Sequence, residues 1–191
     1  MLIFGIGVNY LMLKLLTEKG LPPKKINLNH GNIINFKSKE RFNVAYSLFD
    51  VICLITKDID LKKFFLNLHK HLEPGSLVYL DYWYKPAVFH MKIKDIRQTY
   101  ENTRFKIVRE KIQKMNKKKN YVNVVFKLNV YNKKNKIKKR FKETHPMRFF
   151  NTSEIEKFSK KYFNVVRHLS NYSNTKPNKK NWQASSILMR K

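Results

Sequence analysis

The sequence has 191 residues, with 41 Lys+Arg against 13 Asp+Glu and a formal net charge of +28. That length suits one domain with a sizeable core, and a content of 42% hydrophobic and 14% aromatic residues excludes a disordered basic tail. A single cysteine, Cys53, excludes an internal disulfide framework and a cysteine-based zinc cage, and it fits a reducing, cytoplasmic setting.

The first sixteen residues are apolar, but Asn9 and Lys14 interrupt them and no basic stretch precedes them. A buried strand over 2–8 and a helix from Tyr10 to Lys19 are therefore expected, with neither a signal peptide nor a membrane span. Gly20-Leu21-Pro22-Pro23 stops that helix, and Ile26–His30 alternates as a second strand running into Gly31-Asn32. Phe42 to Phe49 reads as a third strand. Leu61, Phe65, Leu68 and Leu72 then fall on one helical face, and Glu73-Pro74-Gly75-Ser76 breaks the helix before a strand at Leu77–Asp81. Strands alternating with amphipathic helices imply a largely parallel α/β sheet, which takes ligands at the carboxyl ends of its strands.

After Pro86 the period changes to two. Arg104–Met115, Tyr121–Tyr131 and Ile137–Phe149 read as a three-stranded antiparallel meander in which Val122, Val124, Phe126, Leu128 and Val130 face one way. A last helix capped by Asn151 or Thr152 carries Ile155, Phe158 and Tyr162 as its stripe, and Asn164–Tyr172 and Ser185–Arg190 are closing strands. Three regions follow: 1–89 as a partial cofactor domain, 90–150 as a substrate-covering insertion, and 151–191 completing the first.

Charge is uneven. Residues 104–142 hold 16 basic side chains and one acidic one, so a phosphate-seeking surface and a lysine-rich coding bias both account for the excess. His69 and His71 are two apart on a helix and point away from each other, and no other His, Cys or carboxylate spacing makes a metal cage. Walker loops and nucleophile elbows are absent, and Gly5-Ile6-Gly7 is a lone pair of glycines.

The stretches Asn29–Phe36, Phe42–Thr56, Leu61–Phe89 and Phe141–Phe150, in that order, carry a resemblance. The chain resembles the class I S-adenosylmethionine-dependent methyltransferases, in the branch with an antiparallel insertion that includes amino-sugar N-methyltransferases. Its most specific elements are the Leu72-Glu73-Pro74-Gly75-Ser76 turn into an aromatic-ending strand and the segment Glu143-Thr144-His145-Pro146-Met147-Arg148-Phe149-Phe150. The resemblance implies an α/β, Rossmann-like methyltransferase sheet with an inserted β-meander. It also implies S-adenosyl-L-methionine as cofactor and in-line methyl transfer to N or O of a small molecule, such as a nucleotide-linked sugar.

Carried over by residue, the resemblance assigns Gly5, Gly7, Val8 and Asn9, Asn32 and Ile33, and Ser47, Leu48 and Phe49 to the cofactor. Asp50, Tyr84 and His145 become catalytic, and Tyr82, Trp83, Tyr84, His145 and Arg148 hold the acceptor. Gly7 stands where the family has an acidic residue on the ribose hydroxyls, which removes charge-assisted hydrogen bonds worth about 1.5–3 kcal/mol each. The family's first strand and its D-x-G-x-G-x-G loop have no counterpart, so the sheet is expected to be incomplete at its N-terminus. Weak cofactor binding by the chain alone follows, the sequence being expected to be a truncated fragment, a mis-started reading frame or half of a split enzyme, with a complementing N-terminal half or a second copy in a homodimer as partner. A basic nucleic-acid-binding protein or RNA methyltransferase, and a non-catalytic partner subunit, remain alternative readings.

Overall fold

A computed structural model of the chain describes residues 3–7, 26–91, 93–132, 137–170 and 173–191. The helix expected at Tyr10–Lys19 lies outside the described residues. The flanking strands β1 (Ile3–Gly7) and β2 (Ile26–His30) form a parallel pair in which Gly7 stands beside His30.

Four strands make the α/β sheet, in the order β3 (Phe42–Ser47), β4 (Leu72–Trp83), β10 (Gln183–Arg190) and β9 (Phe163–Ser170). Only β3 and β4 run parallel, whereas β10 is antiparallel to both β4 and β9. The expected largely parallel sheet is thus mixed. The physical reason is the connection: no helix separates β9 from β10, and strands joined without a crossover pair antiparallel.

Helix α1 (Asp58–His71) connects β3 to β4. It buries Leu61, Phe64, Phe65 and Leu68 along one stripe, with Asp58 and Asp60 in its first turn and Lys70 in its last, each sign facing the favourable end of the helix dipole. Gly75, at φ 78°, lies within β4 between Leu72 and Leu77, the stretch over which the register against β3 shifts as that strand passes from Phe42 to Val44. Two short elements have no periodicity to announce them: a 3₁₀ turn at Val51–Leu54 and α2 (Lys85–His90). Helix α3 (Thr152–Ser159) starts with a capping box in which Asn151 and Glu154 satisfy each other's backbone N–H groups. Tyr162, expected on its stripe, lies beyond its end and packs half-buried against the core.

The meander has one strand more than its period suggested. A wholly exposed strand β5 (Ile96–Glu101) precedes β6 (Phe105–Asn116), β7 (Tyr121–Asn132) and β8 (Ile137–Arg148), all antiparallel in sequence order. Exposure on every residue of β5 erases the apolar alternation that marks a strand in sequence. Val122 and Val124 of β7 are buried, and Met115, Phe126 and Met147 pack beside them against the body. One meander face therefore covers the α/β domain; the other buries Val108 apart from the main core and Arg148 at the end of β8, and faces away along the rest of its length.

The α/β sheet likewise has two unlike faces. Val78, Leu80, Tyr82, Ala184 and Leu188 are buried in the main core with α1 and α3. The opposite face leaves Val44, Tyr46, Leu77 and Met189 exposed, and an open hollow of about 430 Å³ lies over Tyr46, Leu48, Tyr79, Leu169, Ser173 and Asn174.

Candidate active site at the carboxyl ends of β3 and β4

Beyond Ser47 the chain turns sharply, with Phe49 and Asp50 both at φ 61°. Left-handed backbone at residues other than glycine costs about 1–3 kcal/mol and persists only where the surroundings impose it. Asp81, buried near the end of β4, does so. Its carboxylate accepts the Phe49 N–H at 3.0 Å and the Asp50 N–H at 2.8 Å, two charge-assisted bonds that hold both amides in place.

The turn delivers the Asp50 side chain to a pair of residues facing each other across β4 and β10, Trp83 and Gln183. The indole Nε1–H of Trp83 donates to Asp50 Oδ2 at 2.9 Å, and Nε2 of Gln183 donates to both carboxylate oxygens at 2.8 and 2.9 Å. Trp83 is fixed in turn by Trp182, edge-on at 5.1 Å, and by its backbone N–H on Cys53 Sγ at 3.3 Å. Burial raises the pKa of Asp50 against the hydrogen bonds from Gln183 and Trp83, and the Asp81 charge adds to the rise.

The charge of Lys111, on the inward face of the meander, acts on this carboxylate. Burial lowers the pKa of Lys111, Arg109 lowers it further, and Asp50 opposes both through its charge. By register, Lys111, Phe126 and Glu143 form one row across β6, β7 and β8, with His145 one pair along on the same face. His145 Nε2 sits 3.2 Å from Glu143, its ring is edge-on to Phe126 at 5.6 Å, and the Arg109 guanidinium lies 4.8 Å over Phe126. A carboxylate raised by burial and a partly buried amine thus act on each other through their charges, an arrangement suited to holding a polar acceptor and receiving its proton.

The other residues singled out in the sequence lie variously near and far. Gly5 and Gly7 are on β1, with Gly7 at its carboxyl end, whereas Val8 and Asn9 are outside the described residues. Asn32 is exposed and its Oδ1 accepts the Ile34 N–H at 3.0 Å, so one of its acceptor positions is taken. The loop around Ile33 is pinned to α1 by Asn67, which donates to Ile33 O at 2.6 Å and Phe36 O at 3.0 Å. Ser47 ends β3, and Leu48 and Phe49 are exposed just past it, Phe49 at 85%.

Tyr82 sits on the face opposite Asp81 and Trp83. It is fully buried, and its hydroxyl meets Ser186 Oγ at 3.0 Å; from there a chain runs through His168 at 2.8 Å to Glu156 at 2.9 Å. Strand alternation makes this unavoidable, because neighbours on β4 cannot both face the turn. Tyr84 caps α2 and packs half-buried on the core. Arg148 is buried and engaged, at 2.6 Å from Asp58, 3.4 Å from Glu154 and 3.3 Å from Thr56 O, so it ties β8 to α1 and α3. Two residues of the site, Gln183 and Lys111, carried no assignment from the sequence, whereas Asp81 opens the segment Asp81–Tyr84 that the resemblance matches to the acceptor loop. Asp81 had a signal in its place at the end of a predicted strand, but Gln183 and Lys111 had none.

No protein-family model and no curated protein matches the sequence. Solved structures do match. The chain is similar to an S-adenosylmethionine-dependent methyltransferase from Clostridium acetobutylicum, with a TM-score of 0.77 at 20% identity over 100% of this chain and 75% of that one. It is similar also to an amino pentose methyltransferase of calicheamicin biosynthesis from Micromonospora echinaspora (0.72, 14%, 100% and 74%). A third is the sugar N-methyltransferase from Streptoalloteichus (0.77, 12%, 96% and 70%). The fold is that of these methyltransferases, meander included.

Proposed function

We propose that this chain transfers a methyl group from S-adenosylmethionine to a nitrogen or oxygen of a small-molecule acceptor, with an amino sugar as the favoured class. The observation that carries the reading is the Asp50 carboxylate, pinned by Trp83 and Gln183 at the carboxyl end of β3. It occupies the ligand rim of an α/β sheet, in a fold whose solved neighbours include sugar methyltransferases.

The residues present fit the cofactor at one end better than at the other. The 47–50 turn is held rigid by Asp81, and exposed Leu48 and Phe49 beside it offer an apolar wall. At the other end Gly7 offers no carboxylate for a ribose, and the sequence contains no D-x-G-x-G-x-G loop. When bound, the cofactor supplies an electrophilic methyl carbon on a sulfonium.

The chain's own residues then have three tasks. An ionised carboxylate has about four acceptor positions, and the three contacts from Trp83 and Gln183 leave room for one more partner, an acceptor N–H or O–H. As the acceptor atom forms its bond to carbon it loses that proton to Asp50, whose raised pKa favours taking it. Lys111 balances the charge of Asp50, and the inward meander face excludes water from an acceptor held about 3–3.5 Å from the carbon attacked.

Calorimetry with S-adenosylmethionine, followed by methyl transfer to a panel of amino sugars, tests the reading. Binding with turnover on at least one sugar amine is expected, and Asp50→Asn should keep the first while losing the second. Absence of both in the folded chain refutes an enzymatic role; binding with no turnover on amines or hydroxyls leaves a cofactor-binding partner subunit in its place.

A further inference from the structure

We infer that the outward face of the meander sheet binds single-stranded nucleic acid along its phosphodiester backbone. Residues paired across an antiparallel ladder share a face, so the register decides which side chains look out. Lys127 stands directly opposite Lys142, Arg140 opposite Asn129, and Lys114 opposite Asn123, all on the face away from buried Val122 and Val124. Neighbouring positions along a strand repeat on one face about every 6.8 Å, and opposed side chains start about 5 Å apart, so these cations form a close lattice.

Two like charges directly opposed destabilise a sheet. Among the described residues, none of these four cations has a carboxylate in ion-pair contact, in contrast with Arg148, which meets Asp58 and Glu154. The acids on the outward face are Glu110, across the ladder from Lys127 but engaged 3.9 Å from Arg97, and Glu101 at the far end of β5. A polyanion laid across β7 and β8 would relieve the repulsion, and it is the ligand whose own charge spacing matches a row of cations.

Aromatic placement favours a single strand over a duplex. Tyr131, partly exposed, lies at one end of β7 on this same face, as a platform on which an unpaired base stacks while the cations beside it follow the phosphates; at the other end Tyr121 pairs with buried Arg148 and belongs to the body. The face offers no helix to enter a groove.

Fluorescence anisotropy of a labelled 20-nucleotide oligouridine with the full chain, over a salt series, tests this. Removing three cations with Lys127→Gln, Arg140→Gln and Lys142→Gln should weaken binding about tenfold or more and flatten the log–log salt slope by about 2, at ~0.7 for each phosphate no longer neutralised. The matched control removes three exposed lysines of the α/β domain, Lys62→Gln, Lys70→Gln and Lys160→Gln, and should change affinity less than about twofold. Equal loss in both variants, or no binding at low salt, overturns the proposal. So does displacement by duplex, by heparin or by anionic vesicles as effective as by unlabelled oligouridine. Asp50→Asn should leave oligouridine binding unchanged, which separates this surface from the methyl-transfer reading.

Discussion

The two four-stranded sheets treat charge in opposite ways. In the α/β sheet Asp81 holds two backbone amides, Asp50 is held by an indole and an amide, and Arg148 meets two carboxylates and a carbonyl. On the outward face of the meander, Lys127 and Lys142 stand opposed with no acid between them. Burial explains the difference: a charge out of water must be satisfied by fixed partners, whereas an exposed one is free to wait for a ligand. Charges fixed by partners therefore mark the first sheet, and charges left to solvent mark the outward face of the second.

The sharpest way to break this contrast is at Asp50. Asp50→Asn should lower the methyl-transfer rate about 10²- to 10⁴-fold with cofactor binding retained, measured as single turnover; a rate near wild type removes Asp50 from the chemistry. Packing gives the next largest effect. Phe65→Ala, at a fully buried position under the α/β sheet, should cost about 3–5 kcal/mol in urea unfolding. Phe141→Ala on the half-exposed end of β8 should stay within about 0.5 kcal/mol.

Arginines make the same comparison on a smaller scale. Arg148→Met should cost about 1–3 kcal/mol, below the usual figure for a broken buried pair because Asp58 is 65% exposed and stays solvated. Arg140→Met should be neutral to within about 0.5 kcal/mol.

Titration supplies the finest distinction. The folded pKa of Asp50 is raised above 3.8 chiefly by burial, so between 3.8 and that raised value the folded chain binds more protons than the unfolded one. Stability contributed by this group is therefore greatest below pH 3.8 and falls as pH rises through the folded pKa. The stability difference between wild type and Asp50→Asn should shift against wild type over that window; a flat difference from pH 3 to 7 would show an unburied carboxylate.

Much of this fold is legible in the sequence, because amphipathic period reports burial. The stripe Leu61, Phe65, Leu68 marks α1, and the alternation Val122, Val124, Phe126 marks β7 with the correct face inward. Where burial is absent the signal fails, as in fully exposed β5 and in the six-residue α2. The site divides along the same line. Asp50 is reachable by resemblance to a family pattern, but its partner Gln183 is 133 residues away and becomes its neighbour only through the antiparallel register of β10 on β4. Tyr82 shows the converse: it lies within the right segment, and one step of strand alternation turns it to the other face.

The uncovered face of the α/β sheet makes the chain's colloidal behaviour a matter of ionic strength. Val44, Tyr46, Leu77 and Met189 present an apolar patch to water, while the charge of +28 pushes copies of the chain apart. At about 0.01 M salt that repulsion extends some 30 Å, about three times the reach it has near 0.1 M, so added salt lets the patches of two molecules approach more closely and more often. Added salt should therefore cloud a solution that dilute buffer keeps clear, and a single charged residue in place of Tyr46 should move the cloud point to higher salt.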